Sequence, residues 1–432
     1  MRILRLRLFW LGLAIGIGTG HAADEPKIPA EVAAPEAKPG SILKLSDSRP
    51  SQVRVIIASD DRAHAIGFGE PLTEGKARHL HFIVGTGGVE TAIAIPANFA
   101  DFLEKVAKRS ILWVDALPNG VLRARAFSQR ESFVFDGGKW QAEPDSVCQQ
   151  IAVVGDASLC AMLVRIEGGY GRILILRRGS QGVDRAWLVD PREPGREDYF
   201  YAERPGSFRQ DWLLDIVGLG VDANDRLHLY FTYFAPTGGF GSRVGVRYAS
   251  AELNPPAADR YAPGAFAIDP PLPSELPLYA MRSTAIHPAA MLQQSYKNVF
   301  WPAAFAFDRK EPSRASVLWV EQGFASRTLF HGIAIGGRIE VEKDLGDGVG
   351  GYALVATGRD RFHAIRHSRT AGTSFRSYAN GRWSTPVALD PNKADAWSLP
   401  GADLVSDGRG RLLAVWGNND GLYARWIDMA GE

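Results

Sequence analysis

The sequence predicts an all-β protein, a β-propeller of about seven four-stranded blades, on the basis of three observations. The first is an internal repeat, in which an apolar strand leads through a polar turn into a second strand. The second is composition, since 46 glycines and 10% aromatic residues suit short strands joined by tight turns. The third is that the last repeat lacks a strand that the beginning of the chain can supply.

The repeat is a hairpin whose turn contains Asp, Asn or Gly, the residues that tolerate a positive φ. The four clearest copies lie at 53–68, 218–231, 352–365 and 402–416, and three weaker copies lie at 111–127, 149–165 and 303–320. A third strand usually follows each hairpin, and a fourth often follows that. Four antiparallel strands repeated radially are typical of propeller blades.

The two ends of the chain are expected to close the ring. The last copy has three strands within 402–427, whereas residues 41–46 form a short alternating strand with no partner of their own. We predict that strand 41–46 completes the last blade, because closure removes an exposed sheet edge. A single propeller domain would then span 41–432.

Two stretches depart from the repeat. Seven prolines between 255 and 277 disfavour a regular strand, so residues 252–298 are predicted to form a long excursion over a face or the rim. Such a segment is either functional or a packed insertion, and the sequence leaves both open. Residues 98–108 are predicted as a short helix between the first two blades.

The first 22 residues predict a signal peptide. Three arginines precede a short apolar core, and small residues before Ala23 fit a cleavage point. The apolar stretch is shorter than the roughly 20 residues of a membrane span, so no span is expected after cleavage. Residues 23–40, rich in Ala, Pro and Glu, predict a disordered tether. The mature protein is therefore expected to be periplasmic or secreted.

Charge and cysteine content exclude several classes of partner and cofactor. Lys plus Arg number 49 against 48 Asp plus Glu, so no basic excess favours nucleic acid. The two cysteines cannot supply the four thiolates of a typical iron–sulfur cluster, and no c-type haem motif is present. We predict no cofactor. Whether Cys148 and Cys160 form a disulfide stays open at this stage, because geometry limits which pairs can bridge.

Two turn regions resemble the blades of sialidase-like (BNR-type) bacterial propellers. They are Asn380–Pro386, which reads Asn-Gly-Arg-Trp-Ser-Thr-Pro, and Asp407–Arg411, which reads Asp-Gly-Arg-Gly-Arg. The resemblance implies a propeller fold. The Asp-box pattern Ser-x-Asp-x-Gly-x-x-Trp and the Arg-Ile-Pro signature of sialidases are absent, which leaves the activity open.

Three histidines occupy one position of the repeat, just after the turn. They are His64, His228 and His363. Equivalent positions of a propeller lie on different blades, too far apart to share one ion. We therefore predict that each imidazole is hydrogen-bonded near its turn, and we predict no metal site.

A ligand-binding face is predicted where two sets of loops meet, those before the first strands and those joining second to third strands. Aromatic groups beside carboxylates and amides suit a polar ligand with an apolar face, such as a sugar. The candidate residues are Trp212, Asp215, Tyr233, Trp301, Glu321, Gln322, His367, Arg369, Trp397, Asn418 and Asp420.

The favoured hypothesis is an exported, monomeric, non-catalytic propeller that recognises an envelope or extracellular glycan or a protein partner. The first alternative is a sialidase-like glycoside hydrolase or lyase. Such an enzyme needs two carboxylates about 5–10 Å apart, drawn from Asp215, Glu321, Asp403 and Asp420. The second alternative is a scaffold subunit of a periplasmic enzyme complex.

Overall fold

The computed structural model confirms an all-β protein. It describes residues 37–48, 52–58, 60–68, 79–109, 112–117, 120–126, 131–143, 148–166, 170–190, 213–237, 241–269, 271–285, 299–308, 311–322, 327–347, 351–358, 361–368, 372–392, 401–418 and 420–429. Within these ranges one α-helix, α1 (Ala97–Arg109), accompanies the strands. No helix of this part of the chain is long and apolar enough to cross a membrane.

The strands follow one another as antiparallel meanders, which we number in chain order. The described chain begins with β1 (Ala37–Pro39) and β2 (Leu43–Ser46). Meander 1 is β3 (Gln52–Ile57), β4 (Ala63–Phe68), β5 (His79–Gly85) and β6 (Gly88–Ala92). Meander 2 is β7 (Leu112–Ala116), β8 (Leu122–Ala126), β9 (Ser132–Asp136) and β10 (Lys139–Glu143).

Meanders 3 and 4 belong to one nine-stranded sheet. Meander 3 is β11 (Gln150–Val154), β12 (Ala157–Ile166), β13 (Tyr170–Gly179) and β14 (Gly182–Asp190). Meander 4 is β15 (Leu213–Val221), β16 (Arg226–Thr237), β17 (Gly241–Glu252) and, after a 3-10 helix (Ala257–Asp259) and β18 (Ile268–Asp269), β19 (Leu278–Ala285).

The remaining strands form three sheets. Meander 5 is β20 (Val299–Phe307), β21 (Arg314–Gln322), β22 (Arg327–Ile335) and β23 (Arg338–Asp347). Meander 6 is β24 (Gly351–Gly358), β25 (Arg361–Ser368), β26 (Gly372–Ala379), β27 (Arg382–Trp383) and β28 (Val387–Asp390). Meander 7 is β29 (Ala402–Ser406), β30 (Arg411–Asn418) and β31 (Gly421–Met429), with β1 and β2 paired to β31.

The beginning of the described chain pairs with its last strand. Leu43 and Lys44 of β2 lie opposite Ala424 and Tyr423 of β31, as predicted for strand 41–46. The strand β1 also pairs with β31, although it falls within the segment predicted as a tether. The paired part of the chain therefore starts earlier than the sequence indicated.

Apolar side chains fill the spaces between neighbouring meanders, because alternate residues of each strand face opposite sides of a sheet. Separate clusters join meanders 7 and 1, 1 and 2, 3 and 4, 4 and 5, 5 and 6, and 6 and 7. Three indoles in these clusters, Trp187, Trp319 and Trp416, are fully buried. Helix α1 adds Phe99, Phe102, Leu103 and Val106 to the cluster between meanders 1 and 2. The predicted helix at 98–108 is thus confirmed.

The proline-rich excursion covers one face of meander 3. Its side chains Tyr261, Phe266 and Ile268 pack on the face opposite meander 4, and β18 pairs with β12. The prediction that prolines exclude a regular strand here is wrong for β19, which starts directly after Pro277. One end of β19 pairs in parallel with β14 and the other antiparallel with β17, so this strand joins meanders 3 and 4.

The hairpin turns use the residues that the repeat predicted. Asp61 and Asp225 adopt φ of 65° and 57°, within the left-handed region. The Asp222 carboxylate accepts backbone N–H bonds from Asn224 at 2.8 Å and Arg226 at 3.0 Å, which fixes the turn. The carboxylate of Asp407 binds the N–H groups of Arg409 and Arg411 in the same way.

A disulfide joins Cys148 and Cys160, whose Cα atoms are 5.3 Å apart. Cys160 belongs to the face of meander 3 that the excursion covers, and Cys148 packs beside it. The bond therefore ties the chain that enters β11 to the second strand of the same meander.

We expect the paired substitutions Cys148→Ala and Cys160→Ala to lower the free energy of unfolding by about 3 kcal/mol, because a short loop is no longer closed in the unfolded chain. Urea unfolding followed by fluorescence measures this. Reductant should shift the native protein toward the double variant and leave the variant unchanged. Equal midpoints for native protein and variant would show that the bond contributes nothing to stability.

Candidate functional site

The predicted ligand-binding residues fall into three groups. Trp212, Arg369 and Trp397 lie outside the described residues. Five others are placed by their backbone, at positions along four strands. Asp215 lies in β15, Tyr233 in β16, Trp301 in β20, and Glu321 and Gln322 at the end of β21. In the register of meander 5, Phe300 lies opposite Glu321 and Val299 opposite Gln322, at the end away from the Asp308 turn.

The three remaining candidates have described side chains. His367 is buried, with Nδ1 2.6 Å from the Thr373 hydroxyl oxygen. Asn418 is also buried, and its Nδ2 donates to Asp390 at 3.1 Å. The same Asp390 oxygen accepts the Trp416 indole N–H at 2.9 Å. His367 and Asn418 therefore hold neighbouring strands together in this structure. Asp420 is 66% exposed and lies 3.8 Å from Lys44.

Asp403, named for the enzyme alternative, is held between the first strands of meanders 7 and 1. Its side chain is 20% exposed and accepts the N–H groups of Val55 at 2.9 Å and Leu404 at 3.0 Å. Burial raises the pKa of Asp403, and the nearby Arg54 guanidinium and these two N–H groups oppose that rise. The carboxylate is thus already engaged by protein groups.

Asp403 is one end of a continuous row of side chains. Arg54 Nη1 lies 4.0 Å from Asp403, and the guanidinium lies over the Trp113 ring at 5.8 Å. Arg125 lies over the same ring at 5.7 Å, and its Nε donates to Asp115 at 2.9 Å. We call these five residues the arginine–tryptophan ladder. They come from β29, β3, β7 and β8, so the ladder crosses three meanders.

Backbone contacts fix the ladder. Arg54 Nε donates to the carbonyl oxygen of Leu112 at 2.6 Å, and its Nη1 donates to that of Val53 at 3.2 Å. The Arg54 side chain is 26% exposed, so part of it is accessible to solvent. A cation over an aromatic face is attracted by the ring quadrupole, so Trp113 holds both arginines in place.

The ladder continues into a buried polar face of meander 2. Arg123 is 1% exposed, and its Nε donates to Glu143 at 2.7 Å, while the Ser132 hydroxyl donates to the same oxygen at 2.7 Å. Within the described residues, Arg123 Nη1 and Nη2 and Arg125 Nη2 are buried without hydrogen-bond partners.

Arg172 of meander 3 is also buried, on the face that the excursion covers. No apolar cluster of the described chain joins meanders 2 and 3.

Sequence reasoning missed Arg54, Trp113, Arg123 and Arg125. The signal was present in the alternation Leu-Arg-Ala-Arg-Ala of β8. This alternation places two arginines on one face of the strand and the buried Leu122 and Ala124 on the other. Charged residues on a face that a neighbouring sheet should cover are rare unless they are paired. Only the fold shows that Arg125 lies over Trp113 of the adjacent strand, and that Arg54 of the preceding meander lies over the same ring.

The repeated histidines have the structural role that the sequence predicted. His228 Nδ1 lies 2.7 Å from the Tyr248 hydroxyl and its Nε2 3.1 Å from Asp222. His363 lies between the hydroxyls of Thr357 at 2.8 Å and Ser377 at 3.0 Å. His64 Nδ1 lies 2.9 Å from His81 Nε2. Each imidazole thus bonds the third strand of its own meander, and the three lie in three different sheets.

Two further histidines join neighbouring meanders. The Trp140 indole of meander 2 donates to His81 of meander 1 at 3.0 Å. The Trp383 indole of meander 6 donates to His331 of meander 5 at 3.2 Å, and His331 Nε2 lies 2.7 Å from the Ser316 hydroxyl. The two Trp–His bonds are equivalent, since each runs from a fourth strand to the third strand of the preceding meander. They favour neutral imidazoles, because an indole N–H needs an unprotonated ring nitrogen as acceptor.

Comparisons with known proteins give matches in structure alone. No protein-family model matches the sequence, and no match is found among curated proteins. Similar solved structures include a lectin from Burkholderia pseudomallei at 13% identity, covering 90% of this chain and 98% of that one, with a TM-score of 0.44. An α-L-arabinanase from Penicillium chrysogenum is 11% identical over 90% of this chain and 98% of that one, with a TM-score of 0.42.

The fucose-recognising lectin of Aleuria aurantia, a six-bladed β-propeller, is 11% identical over 90% of this chain and 92% of that one, with a TM-score of 0.37. The propeller domain of Myceliophthora thermophila Swd1 is also similar, with 11% identity over 88% of this chain and 97% of that one and a TM-score of 0.41. All of these TM-scores lie below 0.5, so the likenesses carry no argument about the site or its ligand.

The buried histidines predict that stability falls in acid. Burial lowers the pKa of His64 to about 4 and of His81 and His331 to about 3, below the 6.5 of an exposed imidazole. As the pH falls, the unfolded chain therefore protonates these three imidazoles before the folded protein does. The free energy of unfolding should be greatest above pH 6.5 and should fall as the pH drops toward 4. Urea midpoints measured from pH 7.5 to 4.5 test this.

The His331→Gln variant isolates one of these groups. Its loss of stability between pH 6.5 and 4.5 should be shallower than that of the native protein, by up to about 1.4 kcal/mol per pH unit. The comparison concerns the slope with pH, so a uniform loss of stability in the variant does not affect it. Parallel curves for the two proteins would show that His331 is not kept neutral by the fold.

Proposed function

We propose that the protein is an exported, non-catalytic β-propeller of seven blades that binds an acidic glycan at the arginine–tryptophan ladder. The architectural part is supported by seven consecutive meanders, six of whose contacts are filled by shared apolar clusters. The pairing of β2 with β31 supports closure of the ring by the N-terminal strand. In this arrangement each meander is one blade and its first strand lies nearest the central axis.

Two features of the chain support export, its N-terminal sequence and its disulfide. The first 22 residues have the charged, apolar and small-residue regions of a signal peptide. The Cys148–Cys160 bond adds support, since disulfides persist in oxidising compartments such as the periplasm and the extracellular space.

The ladder is the observation that carries the proposed binding. Guanidinium groups bind carboxylate and sulfate through paired N–H donors, and a tryptophan packs against the apolar face of a sugar. Arg54 and Trp113 are both partly exposed, on adjacent first strands, so one ligand can contact both. Because Trp113 and backbone carbonyl groups already hold Arg54, little conformational freedom is lost on binding.

Binding is favoured over hydrolysis by the surroundings of the described carboxylates. Asp403 accepts two backbone N–H bonds and faces Arg54, and Asp115 accepts a bond from Arg125. Protein donors therefore already engage both carboxylates, whereas a hydrolase needs its acid and base to face the substrate.

The test is binding of the chain from Ala23 onward to an array that pairs acidic glycans, such as uronic-acid and sulfated oligosaccharides, with neutral ones of the same length. We expect binding of acidic members that weakens with salt, because charge pairing is screened. Arg54→Gln and Trp113→Ala should each lower the affinity about tenfold, or about 1.4 kcal/mol.

The matched control is Arg409→Gln, which removes an exposed arginine in the turn between β29 and β30, where it pairs with Asp61. It changes the net charge by the same amount as Arg54→Gln does. Because Arg409 lies outside the ladder, the affinity of this variant should stay near that of the native protein. Equal binding of neutral and acidic glycans would contradict the role of the ladder. An array without any binding would reject the glycan and leave a protein partner to be sought by crosslinking.

A further inference from the structure

The charged side chains of the arginine–tryptophan ladder are not equally accessible to solvent. Arg54 is 26% exposed and its neighbour Asp403 20%, whereas Arg125 is only 6% exposed and its partner Asp115 is 22% exposed. Among these four groups, a ligand therefore meets chiefly one cation, Arg54, and two carboxylates.

The buried polar face of meander 2 has the same order of exposure. Arg123 is fully buried, whereas Glu143, which accepts the bond from its Nε, is partly exposed. In both ion pairs of this face the arginine is the buried member and the carboxylate is the more exposed one. A buried charge needs a paired partner, so the two arginines of β8 require meander 2 to carry acidic side chains nearer its surface.

The two carboxylates of the ladder lie on either side of Arg54. Asp403 belongs to β29 and Asp115 to β7, and the Arg54 side chain on β3 reaches both of these strands. Its Nη1 lies 4.0 Å from Asp403, and its Nε donates to the carbonyl oxygen of Leu112 in β7 at 2.6 Å. An acidic group bound by Arg54 therefore has an acidic side chain of the protein in each direction across the meanders.

Both carboxylates can accept further hydrogen bonds. A carboxylate has two oxygens with about four acceptor positions. Asp403 accepts the N–H groups of Val55 and Leu404, and Asp115 accepts Nε–H of Arg125. A sugar hydroxyl can donate to the remaining positions, whereas a second carboxylate or sulfate brings only acceptors and is repelled. The two aspartates thus favour neutral sugar residues beside the acidic one.

We propose that the ladder selects glycans in which neutral residues separate the acidic ones, over glycans charged on every residue. This selectivity rests on the proposed binding of an acidic glycan to the same residues. The acidic group pairs with Arg54, and hydroxyl groups of neighbouring neutral residues donate to Asp403 and Asp115. The two aspartates determine specificity, because they repel one class of glycan and form hydrogen bonds with the other.

Pairs of hexasaccharides with the same backbone test the charge pattern. Unsulfated chondroitin and heparosan carry a carboxylate on every second residue, and their sulfated forms carry a sulfate on the residues between as well. Calorimetric titration at one fixed ionic strength gives the dissociation constant of each. We expect the unsulfated member of a pair to bind at least about tenfold more tightly, although the sulfated member carries more charge.

The Asp115→Asn variant isolates the repulsion, because asparagine keeps an oxygen that can accept Nε–H of Arg125 but carries no charge. It should raise the affinity for the sulfated hexasaccharides about tenfold, because the repulsion is removed. It should lower the affinity for the unsulfated ones about threefold, because a hydroxyl then donates to a neutral acceptor. A general loss of stability would instead move both affinities in the same direction.

The matched control is Asp136→Asn, which removes an exposed carboxylate at the turn between β9 and β10 of the same meander. It changes the net charge by the same amount and should leave the ratio of the two affinities unchanged. Circular dichroism and thermal unfolding establish that each variant is folded. If Asp115→Asn does not fold, Asp403→Asn takes its place and should shift the ratio in the same direction. If neither folds, the ratio measured for the native protein decides.

The proposed selectivity is overturned if the two members of each pair bind equally, if the sulfated members bind more tightly, or if Asp115→Asn and Asp136→Asn change the ratio alike. Weaker binding by Arg54→Gln in any of these cases would leave the proposed function standing. If no hexasaccharide binds, the selectivity is rejected, and the wider array of acidic glycans decides the proposed function separately.

Discussion

The antiparallel pairing of β2 with β31 joins the beginning of the described chain to its last strand, and much of the structure depends on it. The contact is reinforced on both sides. Gly40 N–H donates to the carbonyl oxygen of Trp426 at 2.8 Å, and the Trp426 indole donates to that of Gly85 in meander 1 at 3.0 Å. Leu45 enters the apolar cluster shared by meanders 7 and 1. Without this pairing, β31 would leave an open sheet edge.

The contacts between meanders are apolar with a few placed polar groups. Tryptophan indoles donate across the boundaries, to His81, to His331 and to Asp390. A buried indole N–H without an acceptor costs free energy, so each donor fixes which residue the next meander must present. These bonds add specificity of alignment to the less directional packing of leucine, valine and phenylalanine.

The candidate site arises where the regular packing is interrupted. Meander 2 presents arginines on the face that a neighbouring sheet would cover, and meander 3 is covered instead by the proline-rich excursion. The acidic partners of these arginines, Asp115 and Glu143, are the more exposed members of the ion pairs, so the interruption also leaves carboxylates nearer the surface.

The sequence by itself determined most of the strands, the hairpin turns, the helix after meander 1 and the partner of strand 41–46. These follow from local rules, such as the alternation of apolar residues along a strand and the positive φ that Asp61 and Asp225 adopt. The tertiary structure alone decided which side chains meet. Packing decided that His367 and Asn418 are buried and that β19 forms beyond its prolines. The ladder from Asp403 to Asp115 joins residues that are distant in the chain. Spacing along a sequence carries no record of such contacts, because they depend on how neighbouring sheets are placed in space.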